Sequence, residues 1–168
     1  QITVKDVDLT AINQGIMAIV FDRDFGRVWS DGTSPYVFSS VVRVPQNAEL
    51  DELSERQLDL IKELRRSLGE VYSILDLRLC PLLPTPILQH YVGTLVRRQF
   101  ESGLKYKAIA GPSERKFYEA LVHSLLAIGD LPVSIHTSFE SALNTVNEKR
   151  IHVKKQRGMY GFLVKLVR

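Results

Sequence analysis

Asp76, Cys80 and Thr85 lie close together in the stretch V-Y-S-I-L-D-L-R-L-C-P-L-L-P-T-P, residues 71–86. Each carries a group that can do chemistry. Asp76 sits between apolar neighbours, where burial raises a carboxyl toward the range of an acid–base catalyst, unless Arg78 or a nearby helix N-terminus pairs with it. Cys80 ends an apolar run, and its thiol is either a nucleophile or an inert core group. Thr85 precedes Pro86, the pattern of a helix entry, with the hydroxyl accepting from a first-turn N–H and proline at the first helical position. The bland member of each pair is the reading preferred here.

The wider inventory adds little. The four histidines, His90, His123, His136 and His152, are scattered and follow no metal-ligand spacing. The chain contains neither a G-x-x-x-x-G-K-S/T loop nor a G-x-G-x-x-G turn. It also lacks a G-x-S-x-G elbow. Asp24-Phe25-Gly26 spells the magnesium triplet of protein kinases, but the partner motifs are missing and the triplet reads as a turn. The expectation is a non-enzymatic protein, with no catalytic residues, no metal and no cofactor.

Charge is unevenly placed. Residues 149–168 hold Lys149, Arg150, Lys154, Lys155, Arg157, Lys165 and Arg168 and no acid, whereas the whole chain has a formal net charge of only +3. Lys149, Arg150, Lys154, Lys155 and Arg157, with Tyr160 and Phe162 nearby, are candidates for contact with an anion, whether nucleic acid or an anionic membrane surface. The other reading is a solvated face on a closing hairpin. A single cysteine, acidic residues near the N-terminus and the lack of a membrane-length apolar run place the protein in the cytoplasm in this reading.

The elements that must position these groups are easier to read. At 168 residues, with 45% hydrophobic and 24% charged, the chain is long enough for one substantial core. Short strands are expected over residues 16–21 and 27–30, with a hairpin turn at Asp31-Gly32 and a β-branched strand over 37–44. Leucines at helical spacing, acids at one end and Arg65, Arg66 and Gly69 at the other mark a helix over 47–69 capped by Asn47. A buried strand over 72–79 and a helix over 86–102 follow. Next come a strand over 106–110, a helix capped by Ser113, a strand over 133–136 and a helix opened by the box Thr137–Glu140. This alternation predicts an α/β domain with a mainly parallel sheet, right-handed crossovers, and antiparallel strands at the N-terminus. Residues 1–36 form an N-terminal extension, 37–147 the core, and 148–168 a basic extension read as a strand or hairpin.

Strand Y-S-I-L-D-L-R, strand Y-K-A-I-A-G and the ending L-P-V-S-I-H-T-S-F-E-S-A-L over 131–143 together resemble the STAS superfamily. That superfamily includes bacterial anti-sigma-factor antagonists, and the closer likeness is to divergent STAS/SEC14-like members. The resemblance implies a STAS-like core and a regulatory module that docks a partner protein, with loop 80–86 and the start of helix 86–102 as the expected docking surface. It places Thr85 at the family's phosphoacceptor position, with Pro84 and Ile87 where the family motif has Asp and Gly. Cys80, Leu82, Leu83, Thr85 and Gln89 are the partner-binding candidates that follow. Two alternatives stand beside it: binding of nucleic acid or an anionic surface through the basic segment, and a lipid-like ligand carrier with an apolar cavity between helix 86–102 and the sheet.

Overall fold

Alternation of side chains along each strand sorts this chain's residues onto two faces, and the two faces have different covers. The computed structural model describes residues 18–152. Its six strands are β1 (Ala18–Arg23), β2 (Gly26–Ser30), β3 (Tyr36–Val41), β4 (Tyr72–Asp76), β5 (Tyr106–Ala110) and β6 (Val133–His136). They lie in one sheet in chain order. β1, β2 and β3 form an antiparallel meander, and β3 to β6 run parallel. The expected α/β class, parallel core and antiparallel N-terminal strands are what the chain forms.

Three helices connect the parallel strands. α1 is Asn47–Leu68, and α3 is Arg115–Ala127. α2 is continuous from Thr85 to Glu101, with a π-helical stretch over Tyr91–Val96 between two α-helical ends. Right-handed crossovers that always step in one direction leave all three on the same face. There Val37, Val41, Leu75 and Ile109 of the sheet meet Leu53 and Ile61 of α1, Leu88 and Leu95 of α2, and Phe117 and Leu121 of α3. The wide π turn keeps Tyr91, Val92, Leu95 and Val96 all buried.

The opposite face carries Tyr36, Phe38, Tyr72, Ile74, Tyr106, Ala108 and Ala110, the residues alternate to the first set. It is covered by the fourth helix, α4, over residues 139–152. α4 meets the sheet with small residues, Ala142 and Val146, flanked by Phe139 and Leu143. Its far end is pinned where Arg150 Nε donates to Glu70 Oε1 at 2.9 Å and Tyr72 OH donates to Glu70 Oε2 at 3.1 Å. Tyr36 OH also donates to Asn147 Oδ1.

The ends of the helices differ from the sequence reading by a residue. Gln46, not Asn47, caps α1, its N–H donating to Glu49 Oε1 at 2.9 Å. Glu114, not Ser113, caps α3, accepting from Lys116 N and Phe117 N. Ser138, not Thr137, accepts from Ser141 N at the start of α4. Gly69 ends α1 as expected, with φ +78° and its N–H donating to Arg65 O. β4 stops at Asp76, three residues short of the expected strand end, because the chain turns over Leu77–Cys80, where Cys80 N donates to Leu77 O, and Leu79 is left exposed. Residues 148–152 are helical, not strand, since α4 carries through them. The rest of the expected hairpin, 153–168, and the segment 1–17 lie outside the described residues.

One buried polar chain crosses the three-helix face. Lys107 of β5 is fully buried, and its Nζ donates to Ser73 Oγ at 3.0 Å and to Gln99 Oε1 at 2.9 Å. Gln99 Nε2 donates to Gln57 Oε1, and Gln57 Nε2 donates to Ser39 Oγ. The chain thus ties β3, β4 and β5 to α1 and α2 through groups that are each hydrogen-bonded.

Candidate functional site

α4 lies over β4, β5 and the Tyr36 end of β3, and over β1, β2 and the rest of β3 the same face forms an open groove. The groove has a volume of about 880 Å³, within the range of ligand-binding clefts. Arg27, Trp29, Phe38 and Ser40 form the floor, and Phe139 and Leu143 of α4 form one wall. The floor has one aromatic row and one polar row. The Trp29 and Phe38 rings stack at 5.6 Å with 17° between planes, and Phe38 lies 6.1 Å from Phe139. The Arg78 guanidinium stands 5.8 Å from the centre of the Phe139 ring.

The rim is charged but largely paired. Arg27 Nε meets Asp22 at 3.1 Å, and Arg43 bridges Asp24 and Glu49 at 2.9 Å each. Arg78 grips Asp76 with two bonds, Nε to Oδ1 at 3.0 Å and Nη2 to Oδ2 at 2.9 Å. Burial pushes the Asp76 carboxyl up, but the Arg78 side chain and backbone N–H outweigh it and leave the group below its usual range. Asp76 is therefore an ionised structural partner, the bland member of the pair read from sequence. Asp31 is held differently, accepting from Thr33 N at 2.9 Å and Ser34 N at 2.7 Å in the turn before β3.

The loop from Leu77 to Pro84 crosses the carboxyl edge of the parallel strands, where α/β proteins place ligands. It divides the residues read as partner-binding. Cys80 and Leu83 are buried and belong to the core, and burial pushes the Cys80 thiol up to about 12. Leu82, Thr85 and Gln89 are exposed. Leu79, which sequence reasoning passed over as a strand residue, is 64% exposed and borders the groove. Thr85 is the first residue of α2 and makes no capping bond, because Pro84 occupies the cap position. Replacing Thr85 with Ala is therefore expected to change unfolding free energy by less than about 0.5 kcal/mol, against about 1 kcal/mol for a true cap. A urea titration of the two proteins distinguishes these values.

Two of the basic candidates are spoken for. Arg150 pairs with Glu70 and lies over the Tyr36 ring, and Lys149 lies over Tyr106 at 5.3 Å. Lys154, Lys155 and Arg157 lie outside the described residues. The lipid-like carrier alternative would need an apolar cavity between helix 86–102 and the sheet. Among the described residues, the void found there has about 10 Å³ and is lined by Leu75, Leu83, Leu88 and Tyr91, too small for a lipid chain.

The histidines do not gather. His90 of α2 bonds Asp51 of α1 at 2.6 Å, and no group of three or more His, Cys, Asp and Glu forms a metal-binding set among the described residues. His136 of β6 sits between Ser134 Oγ at 2.6 Å and Ser141 Oγ at 2.9 Å, and burial lowers its pKa. A hydroxyl, an imidazole and a second hydroxyl in line resemble a nucleophile–base pair, but the groove lies across β1–β3, away from β6. The array joins β6 to the first turn of α4. Nothing in the sequence marked Trp29 or Phe38 as surface residues, since a strand's outward face is polar by default. No helix is long and apolar enough to cross a membrane among the described residues. Comparison of the chain with protein-family models and with curated proteins gave no match.

Proposed function

We propose that the chain is a non-enzymatic, cytoplasmic regulatory module, similar in kind to STAS domains, that docks a partner protein. The observation that carries this is the groove over β1–β3, an aromatic floor beside a covered half-face. The exposed leucines of the following loop support it, Leu79 at 64% and Leu82 at 48% exposure. An apolar centre inside a rim of paired charges is the anatomy of a protein interface. Among its lining residues the groove has four aspartates and three arginines, a balance unsuited to a polyanion, which needs a cationic surface. The proposed docking surface thus moves from the loop and the start of α2 to the groove with the loop as its lip.

The test is affinity capture from native extract with four proteins: the native chain, Leu79→Glu, Phe38→Arg, and a chain lacking residues 153–168. Circular dichroism and thermal unfolding confirm that each is folded. A defined protein retained at high salt by the native and truncated chains, and reduced at least tenfold by Leu79→Glu, is the expected result. Retention of nucleic acid that truncation and salt both abolish overturns the proposal in favour of the basic segment.

A further inference from the structure

We infer that the groove seats one amphipathic helix of the partner protein, laid on the sheet beside α4. This rests on the docking reading above and names the element that docks. The open part of the face spans β1, β2 and the near side of β3. With strands about 4.8 Å apart, that is about 10–14 Å, the diameter of one helix. β2 and its neighbours run for about 17 Å along the groove at 3.4 Å per residue over the five residues of β2. Three turns of helix cover that length.

Backbone chemistry separates a helix from a strand here. The floor is a sheet face, and the N–H and C=O groups of its middle strand, β2, are spent in the ladders β1–β2 and β2–β3. An extended segment lying on it would find side chains below and no backbone partners, leaving its own polar groups unmet. A helix satisfies its backbone internally and needs from the sheet only a surface for its apolar stripe. The other half of the same face already shows this solution, since α4 packs there through Phe139, Ala142, Leu143 and Val146. On the partner helix, the apolar stripe at i, i+4 and i+7 packs over the Trp29–Phe38 pair, with Leu143 on the wall beside it. The rim sets the flank. Asp22, Asp24 and Asp76 have arginine partners, whereas Asp31 is held by turn hydroxyl and N–H groups. A lysine or arginine on the side of the helix facing Asp31 completes the match.

The experiment displays two peptide libraries against the full chain. One holds stapled helices of three to four turns with random residues at i, i+4 and i+7 and lysine on one flank. The other holds disulfide-clamped β-hairpins of equal length. The best member of each is measured by fluorescence anisotropy on the native chain, on Phe38→Glu and Leu79→Glu as groove variants, and on Leu126→Glu as a control on exposed α3 surface. Stapled helices that bind, weaken at least tenfold in either groove variant and hold in the control are the expected result. Leu79→Glu keeps the test valid should Phe38→Glu unfold. If only hairpins bind at the groove, the docking surface stands and the helix is wrong. If neither library binds the groove, both readings fall. If helices bind only after residues 153–168 are removed, the chain's own segment is the occupant and the partner helix is overturned.

Discussion

The native protein gains about 3 kcal/mol of unfolding free energy from Lys107 between pH 6 and pH 9, and Lys107→Met loses that gain. The cause is burial. Lys107 has two neutral oxygens as acceptors, from Ser73 and Gln99, and desolvation lowers its pKa from 10.5 to about 7. Between those values the unfolded chain holds a proton on this lysine that the folded chain lacks. Stability therefore rises with pH through the window and is lowest below pH 7, where folding must bury the charge. In Lys107→Met the Gln99 carbonyl loses its donor, a cost of about 1–3 kcal/mol at any pH, but no proton is involved. The gap between native and variant consequently moves by about 3 kcal/mol in the variant's favour on going from pH 9 to pH 6. Urea titrations of both proteins at the two pH values measure it. Parallel pH profiles would show that Lys107 keeps its charge in the folded state.

Gly26→Ala is the second large effect, a loss of about 2–3 kcal/mol from overpacking. A Cβ on Gly26 would stand 2.7 Å from the Ser40 carbonyl oxygen and 2.8 Å from Leu53 Cδ1. The first is backbone held in the β2–β3 ladder, and the second is a fully buried side chain of α1. Leu53→Ala removes only the second obstacle, so the double variant is no more stable than Gly26→Ala alone. Gly93→Ala is the contrasting case, because nothing lies within 4 Å of its Cβ and it sits inside α2. It is expected to be neutral or to stabilise by up to about 1 kcal/mol. Denaturant midpoints of the four proteins settle the comparison.

Gly26 also shows what a sequence can and cannot reveal. Asp24-Phe25-Gly26 reads as a turn; Asp24 and Phe25 form it and Gly26 opens β2, and the three residues serve three separate contacts. Asp24 is gripped by Arg43, which lowers its pKa. Phe25 is 1% exposed, and Gly26 allows the strand to approach α1. Patterning reports periodicity, so it found every connecting helix and all the parallel strands. The caps fell one residue away because several neighbours with polar side chains compete for the same N–H groups. Gln46 precedes Asn47, Glu114 follows Ser113, and only the backbone angles decide among them. Lys107 was illegible because a lysine in Y-K-A-I-A looks like the solvent side of an alternating strand. Burial of the other side depends on α1 and α2, which arrive from elsewhere in the chain. The groove was illegible for a related reason. Trp29 and Phe38 are ordinary strand residues until one knows that α4 stops short of them.

The strand order has a consequence for how this protein is made. Among the described residues every strand pairs only with its neighbours in sequence. No ladder waits for a distant segment, and closing each crossover involves only the chain between two consecutive strands. Such a topology has low contact order for an α/β protein, and the structure can grow by accretion from the meander onward as synthesis proceeds. The aromatic half-face is exposed from the moment β3 is laid down. Its half-cover, α4, is the last described element to leave the ribosome. A nascent chain therefore displays more of this aromatic face than the finished protein does.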